Sequence, residues 1–204
     1  MSAAVHAPAV PAPDHTAKAI LDAARAAVLD FGLSRITLSD VAARAGVSRM
    51  TVYNRFGDLQ ALIRMLMTRE FGAVLERVAG EQRPGQSRAR TVTLLVQAAS
   101  ELPRNPLFRK VKTSEPELLA PYVFHRLGAT QQLALELIVR EVVCGQQEGS
   151  VRGGDPHAIA AAALLIVQTF VLSAATIPGV PARSLLDQLE LALEGLLLPP
   201  GGSR

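Results

Sequence analysis

One cysteine, Cys144, stands in 204 residues. That excludes an internal disulfide framework and a cysteine-based zinc site, and it suits a reducing compartment. Stretches in which β-branched residues alternate with polar ones are few, while alanine and leucine dominate, the composition of helices rather than sheets. Excess charge is scarce too. The 21 Lys+Arg against 18 Asp+Glu leave a net +3, too little to argue a nucleic-acid partner from the total. Residues 1–15 lack the basic segment and apolar core of a signal peptide. Rich in proline and alanine, they read as a disordered arm. No nucleophile–base motif, phosphate loop or metal-ligand spacing occurs. No catalytic residue, metal or cofactor is therefore expected, and the expected location is cytoplasmic.

What is present is apolar. Hydrophobic residues make up 49% of the chain and the mean hydropathy is +0.25, so much of it should be buried in a sizeable core. The charges are unevenly spread: residues 1–90 carry 12 Lys+Arg against 8 Asp+Glu, and the remainder 9 against 10. The positive excess falls where a phosphate-binding surface would need it.

It falls around Thr37–Phe56, TLSDVAARAGVSRMTVYNRF. Thr37 with Asp40 three residues on resembles a capping box, and Val41, Ala42 and Ala45 give an apolar stripe at helical spacing. Gly46 can take the positive φ that ends a helix in a sharp turn. Ser48 suits the N-cap of a second helix, whose Val52 and Phe56 lie four apart on a core face. Its other residues are Arg49, Met50, Thr51, Tyr53, Asn54 and Arg55, with no acid among them. Two short helices joined at a glycine, the second basic and polar outward, form the pattern of a DNA-binding helix-turn-helix.

A helix over Thr16–Phe31 should precede this pair, with Ile20, Ala23, Ala24, Ala27, Val28 and Phe31 as its apolar stripe and Gly32 as its stop. After Gly57, Asp58 should cap a fourth helix running toward Ala79. The run from Ala17 to Met67 resembles the N-terminal domain of the TetR/AcrR family of transcriptional regulators. The resemblance rests on ILDAA followed by FG, on T-x-x-DVA-x-x-AGVS, and on T-x-Y-x-x-F with the following A-L. It implies that Thr37 and Ser39 meet phosphate at the start of the second helix, and that Ser48, Arg49, Met50, Thr51, Tyr53 and Asn54 lie along the major groove. Tyr53 would bond a phosphate. Arg49 and Asn54 are the candidates for base edges, since Arg suits guanine and Asn suits adenine. Two positions depart from the family pattern. Arg55 replaces a common histidine or aromatic and adds a phosphate candidate, and Leu59 stands where lysine is common. Arg44 is either a phosphate contact or a solvated surface charge.

Beyond the polar turn at 80–87 a second helical domain is expected, giving an arm at 1–15, a DNA-binding domain at 16–79 and a ligand-binding and dimerisation domain at 80–204. Its helices should span Arg88–Leu102, Pro106–Val111, one long helix from about Pro121 to Glu148, Asp155–Ile177 and Ala182–Leu198. The whole chain is then all-α with about nine helices. The candidate ligand residues are Gln97, Gln131 and Gln168, with Phe108 as a wall, and Tyr122 with His125. Each glutamine could equally satisfy a backbone or interface bond, and His125 could be structural. Cys144 should pack in the interior. The uncharged run Ala158–Ile177 has the length of a membrane span. However, its polar interruptions and the lack of a basic anchor at its C-terminal end favour a helix buried on two sides. The family resemblance implies that the last two long helices form a four-helix bundle with a second copy, with Leu185, Leu186, Leu189, Leu193 and Leu196 as the partner stripe. The expected partners are a pseudo-palindromic DNA operator, a second copy of the chain and a small, hydrophobic effector that releases a repressor from DNA, with no membrane. The alternative is an enzyme or small-molecule carrier with a helix-turn-helix-like N-terminus.

Overall fold

A computed structural model of the chain describes residues 15–81 and 85–201, and all regular structure among these residues is helical. The helices are α1 His15–Phe31, α2 Leu38–Ala45, α3 Arg49–Phe56, α4 Leu59–Gly80, α5 Ser87–Glu101, α6 Pro106–Ser114, α7 Ala120–Phe124, α8 Ala129–Gln147, α9 Pro156–Ser173 and α10 Ala182–Leu197. Single 3-10 turns at Leu33–Arg35, Leu102–Arg104, Pro116–Leu118 and Ala174–Thr176 join some of them. Nine of these described helices have eight residues or more, and α7 has five. The expected arm lies outside the described residues except for His15, which opens α1.

Local signals explain most boundaries. Gly32, Gly46 and Gly57 follow α1, α2 and α3 with φ of 83°, 68° and 78°, a region that a side chain makes costly. Asp58 accepts the amide of Ala61 at the start of α4. Asn105 takes the amides of Leu107 and Phe108 at the start of α6, and Asp155 takes that of His157 at α9. In the last two cases proline occupies the first turn, where its missing N–H costs nothing.

Ile20, Val28, Val41, Val52, Leu62 and Leu66 are fully buried, and one core continues from them into Leu107, Ile138, Ile159, Leu189, Leu193 and Leu197. The long α4 joins both ends. Charges reinforce its hold on α1: Arg25 pairs with Glu70 and Arg69 with Asp22, each at 2.8 Å. Further on, the amide of Ser87 at the head of α5 donates to the Glu148 carboxylate at 2.9 Å. This bond holds the Glu148 carboxyl below its ordinary pKa.

Several expectations fail for non-local reasons. The long seventh helix is broken in two at His125–Gly128. The Tyr122 ring lies flush on Gly128, where a Cβ would come within 2.9 Å of Cδ1. Gln131 then stitches the corner, accepting the Gly128 amide at 2.7 Å and donating to the Tyr122 carbonyl at 3.0 Å. Phe31 does not join the core stripe; it is 56% exposed, with the Arg44 guanidinium 5.6 Å above its ring. Cys144 is exposed rather than packed. The leucine stripe of the last helix points inward: Leu189 and Leu193 are fully buried, and Leu186 and Leu196 pack against the core at partial exposure. What α10 leaves exposed includes Ser184, Gln188, Leu191, Ala192 and Gly195, together with the charged Arg183, Asp187 and Glu190.

The helical run Pro156–Thr176, with mean hydropathy 2.2, is long and apolar enough to cross a membrane. Its Ile159, Ala160, Ala163, Leu164, Val167 and Val171 are nonetheless buried in the core shared with α8 and α10, which is the packing of a bundle helix.

Candidate nucleic-acid interface and ligand cavity

The second helix of the pair, α3, is held by its inner face and open on its outer one. Val52 and Phe56 are buried, whereas Arg49, Met50, Tyr53, Asn54 and Arg55 are exposed. Met50 at 63% and Tyr53 at 57% are apolar or aromatic groups left in solvent, an arrangement that calls for a partner. The i, i+4 pairs Arg49/Tyr53 and Met50/Asn54 place these four on one face, and Arg55 projects from another. Ser48 caps the helix by accepting the Thr51 amide at 3.0 Å, and the two hydroxyls lie 2.8 Å apart. The first turn holds no acid, so the positive end of the helix dipole is free to meet an anion.

At the head of α2 the capping box is complete. Thr37 gives both its amide and its hydroxyl proton to Asp40, at 2.8 and 2.7 Å, and its oxygen accepts the Asp40 amide. These bonds hold the Asp40 carboxyl below its ordinary pKa, the Thr37 hydroxyl being the largest cause. Both protons of Thr37 expected to meet phosphate are thus already engaged, and the exposed Ser39 is the freer group beside it. Arg44 does not turn toward α3. It pairs with Asp30 of α1 at 2.6 Å and covers Phe31. Leu59, at the position of the family lysine, packs against the core and presents no charge.

A cavity lies among α4, α5, α6, α7, α8 and α9. Its volume is about 170 Å³. Phe108 is a wall of it, edge to face with Phe71 at 5.5 Å. Tyr122, Gln131 and Gln168 also line it. Gln97 and His125 do not. Gln97 is engaged with Glu81 and Glu101 on the outside of α5, and His125 is exposed at the end of α7 beside Phe124. A polar residue on an apolar helix is the signal for the three glutamines, and that signal cannot say which way a residue faces. Missed by the sequence reading was the α4 face of Arg64, Thr68, Phe71 and Leu75, although its helical spacing was visible.

Glu115 was missed as well. It ends α6, and one carboxylate oxygen accepts the amides of Leu33 and Ser34 at 2.5 and 2.9 Å. Those amides start the 3-10 turn that leads through Ile36 to the cap of α2. Thus α6 touches the cavity with Phe108 at its start and the turn leading into the helix-turn-helix with Glu115 at its end.

A short helix pair with an open, acid-free second helix, mounted on a hollow helical bundle, defines a helix-turn-helix regulator. The bacterial regulatory protein, tetR family model matches residues 20–66. An uncharacterised HTH-type transcriptional regulator of Mycobacterium bovis is 36% identical over 179 residues, covering 87% of this chain and 92% of the relative. The chain belongs to the TetR family. Among solved structures, the transcriptional repressor QsdR of R. erythropolis superposes with a TM-score of 0.67 at 15% identity, covering 95% of this chain and 98% of that one. The repressor AlkX of Dietzia sp., implicated in biodegradation of n-alkanes, gives 0.62 at 21%, covering 91% and 96%. These two show the shared fold. The protein is accordingly a DNA-binding transcriptional regulator and not an enzyme.

Proposed function

We propose that the protein is a homodimeric repressor that leaves its operator when a small, hydrophobic effector enters the cavity, and that it works in the cytoplasm. Residues 16–79 act as the DNA-binding domain and residues from 80 onward as the effector and dimerisation domain. The observation that carries this reading is the exposed face of α3. Arg49 and Asn54 read base edges in the major groove, and Met50 and Tyr53 pack against its wall, with the Tyr53 hydroxyl on a phosphate. Ser39, Ser48, Thr51 and Arg55 add backbone contacts, while Thr37 serves chiefly as the cap that fixes α2.

Dimerisation is supported by the uncovered face of α9, where Leu165 is 60% exposed with the exposed Thr169 one turn on, and by Leu191 and Ala192 exposed on α10. To read two half-sites, a two-fold dimer built on this face has to set its two α3 helices one DNA turn apart, roughly 34 Å. An effector can shift that spacing only by binding one arrangement better than the other. Two connections run from the cavity to the reading helices: α4, about 33 Å long at 1.5 Å per residue, and the α6 strut ending in Glu115. The test is selection of bound duplexes from a random pool with the purified protein, followed by sedimentation. Sequence-blind binding, or a monomer at micromolar concentration, would sink the proposal.

A further inference from the structure

The cavity's polar groups define the head of its occupant. Gln131 spends its carboxamide on the chain itself: its oxygen takes the Gly128 amide, so its nitrogen must be the group that donates to the Tyr122 carbonyl and to Gln168 Oε1, the latter at 2.7 Å. The orientation of Gln168 follows. Its oxygen is used as an acceptor, and its amino group donates to no other described residue while Gln168 lines the cavity. A pair of N–H donors therefore faces a space whose other walls are mostly Leu, Val, Ile, Ala, Phe and Met. The amino group is open to the cavity rather than sealed off, so an occupant that displaces solvent from it must bring an acceptor or lose those hydrogen bonds.

Charge narrows the choice. Among the described residues lining the cavity none is acidic, and the one ionised group is Arg64 at the exposed rim. A cation would enter without a counter-charge. Nor are the aromatic rings waiting for one: the face of Tyr122 already carries the Arg126 guanidinium at 5.2 Å, and Phe71 and Phe108 are engaged with each other.

We infer that the effector is an aliphatic acyl compound, its chain in the apolar lining and its carbonyl or carboxylate oxygen on the Gln168 amino group. This rests on the reading of the cavity as the effector site. Calorimetric titration of the full-length protein with a series built on an eight-carbon chain tests it: methyl octanoate, octanoate, octylamine and octane. The acyl compounds are expected to bind about three- to tenfold tighter than octane, as one hydrogen bond would give, with octylamine weakest; the ester and carboxylate arms separate a neutral from a charged head. Gln168→Met, nearly the same shape, should bring the acyl compounds down to octane and leave octane unchanged. Gln168→Glu keeps the acceptor for Gln131 and should make octylamine the preferred member. An acyl advantage that is absent or survives Gln168→Met overturns the head assignment while octane binding preserves the cavity reading. If no member binds protein that still holds its operator, both fall.

Discussion

The two ends of the molecule solve opposite problems with the same residue types. In α1–α3 most apolar residues at three- and four-residue spacing find their cover within the chain, and the ones left in solvent, Phe31, Met50 and Tyr53, stand among polar and charged groups. In α5–α10 the apolar residues exceed what one chain can cover. Some line a hollow and others, such as Leu165 and Leu191, stand in solvent. A filled, self-sufficient end suits a rigid probe of a rigid partner. A hollow and uncovered end suits an element that changes with occupancy. The difference teaches that stability and responsiveness are segregated along the chain, with α4 and α6 spanning the divide.

The largest expected effect tests the uncovered face. Leu165→Glu puts two unpaired carboxylates into a two-fold interface and should weaken the dimer by about 3–5 kcal/mol, read by sedimentation equilibrium, with the monomer's helicity retained. An unchanged dimer would move the interface elsewhere. Next comes the filled end. Ile20→Ala should cost about 2–5 kcal/mol of unfolding free energy in denaturant titrations. Leu137→Ala, on the cavity wall, should cost less than about 1.5 kcal/mol, because it widens an existing hole around a half-exposed side chain. Equal costs would erase the contrast.

The probe itself is sharpened by Arg49→Ala, expected to lose about 1–3 kcal/mol on the selected operator and little on random duplex. Tyr53→Phe should instead weaken both alike. The smallest effect tests the bridge. Glu115→Ala should leave effector affinity in place while reducing the effector-induced change in operator affinity by about 0.5–2 kcal/mol. Full release by the effector in that variant would leave α4 as the sole lever.

How legible was this in the sequence? Caps and stops were, because Thr37, Gly46, Ser48, Asp58 and Asp155-Pro156 act within a few residues of themselves. The class of the molecule followed from the same stretch. The break between α7 and α8 was not, since it depends on a tyrosine ring seated on Gly128. Periodicity listed Leu185, Leu186, Leu189, Leu193 and Leu196 as one stripe but could not say what would cover it. The chain's own core covers Leu189 and Leu193, with Leu186 and Leu196 packed against it. Of six candidate cavity residues, Phe108, Tyr122, Gln131 and Gln168 share the space, and Gln97 and His125 face outward. Glu115 was invisible because its partners are backbone amides some eighty residues away, which no local pattern encodes.

The exposed thiol of Cys144 has a use of its own. The chain holds one cysteine, no tryptophan and two tyrosines, so it is optically quiet and carries a single chemical handle. One spin label per chain would give a dimer one label-to-label distance, and that distance would record the relative placement of the two α8 helices. Titrating effector or operator against it would turn the proposed change of spacing into a ruler reading, with no residue of the probe, the cavity or the bridge altered.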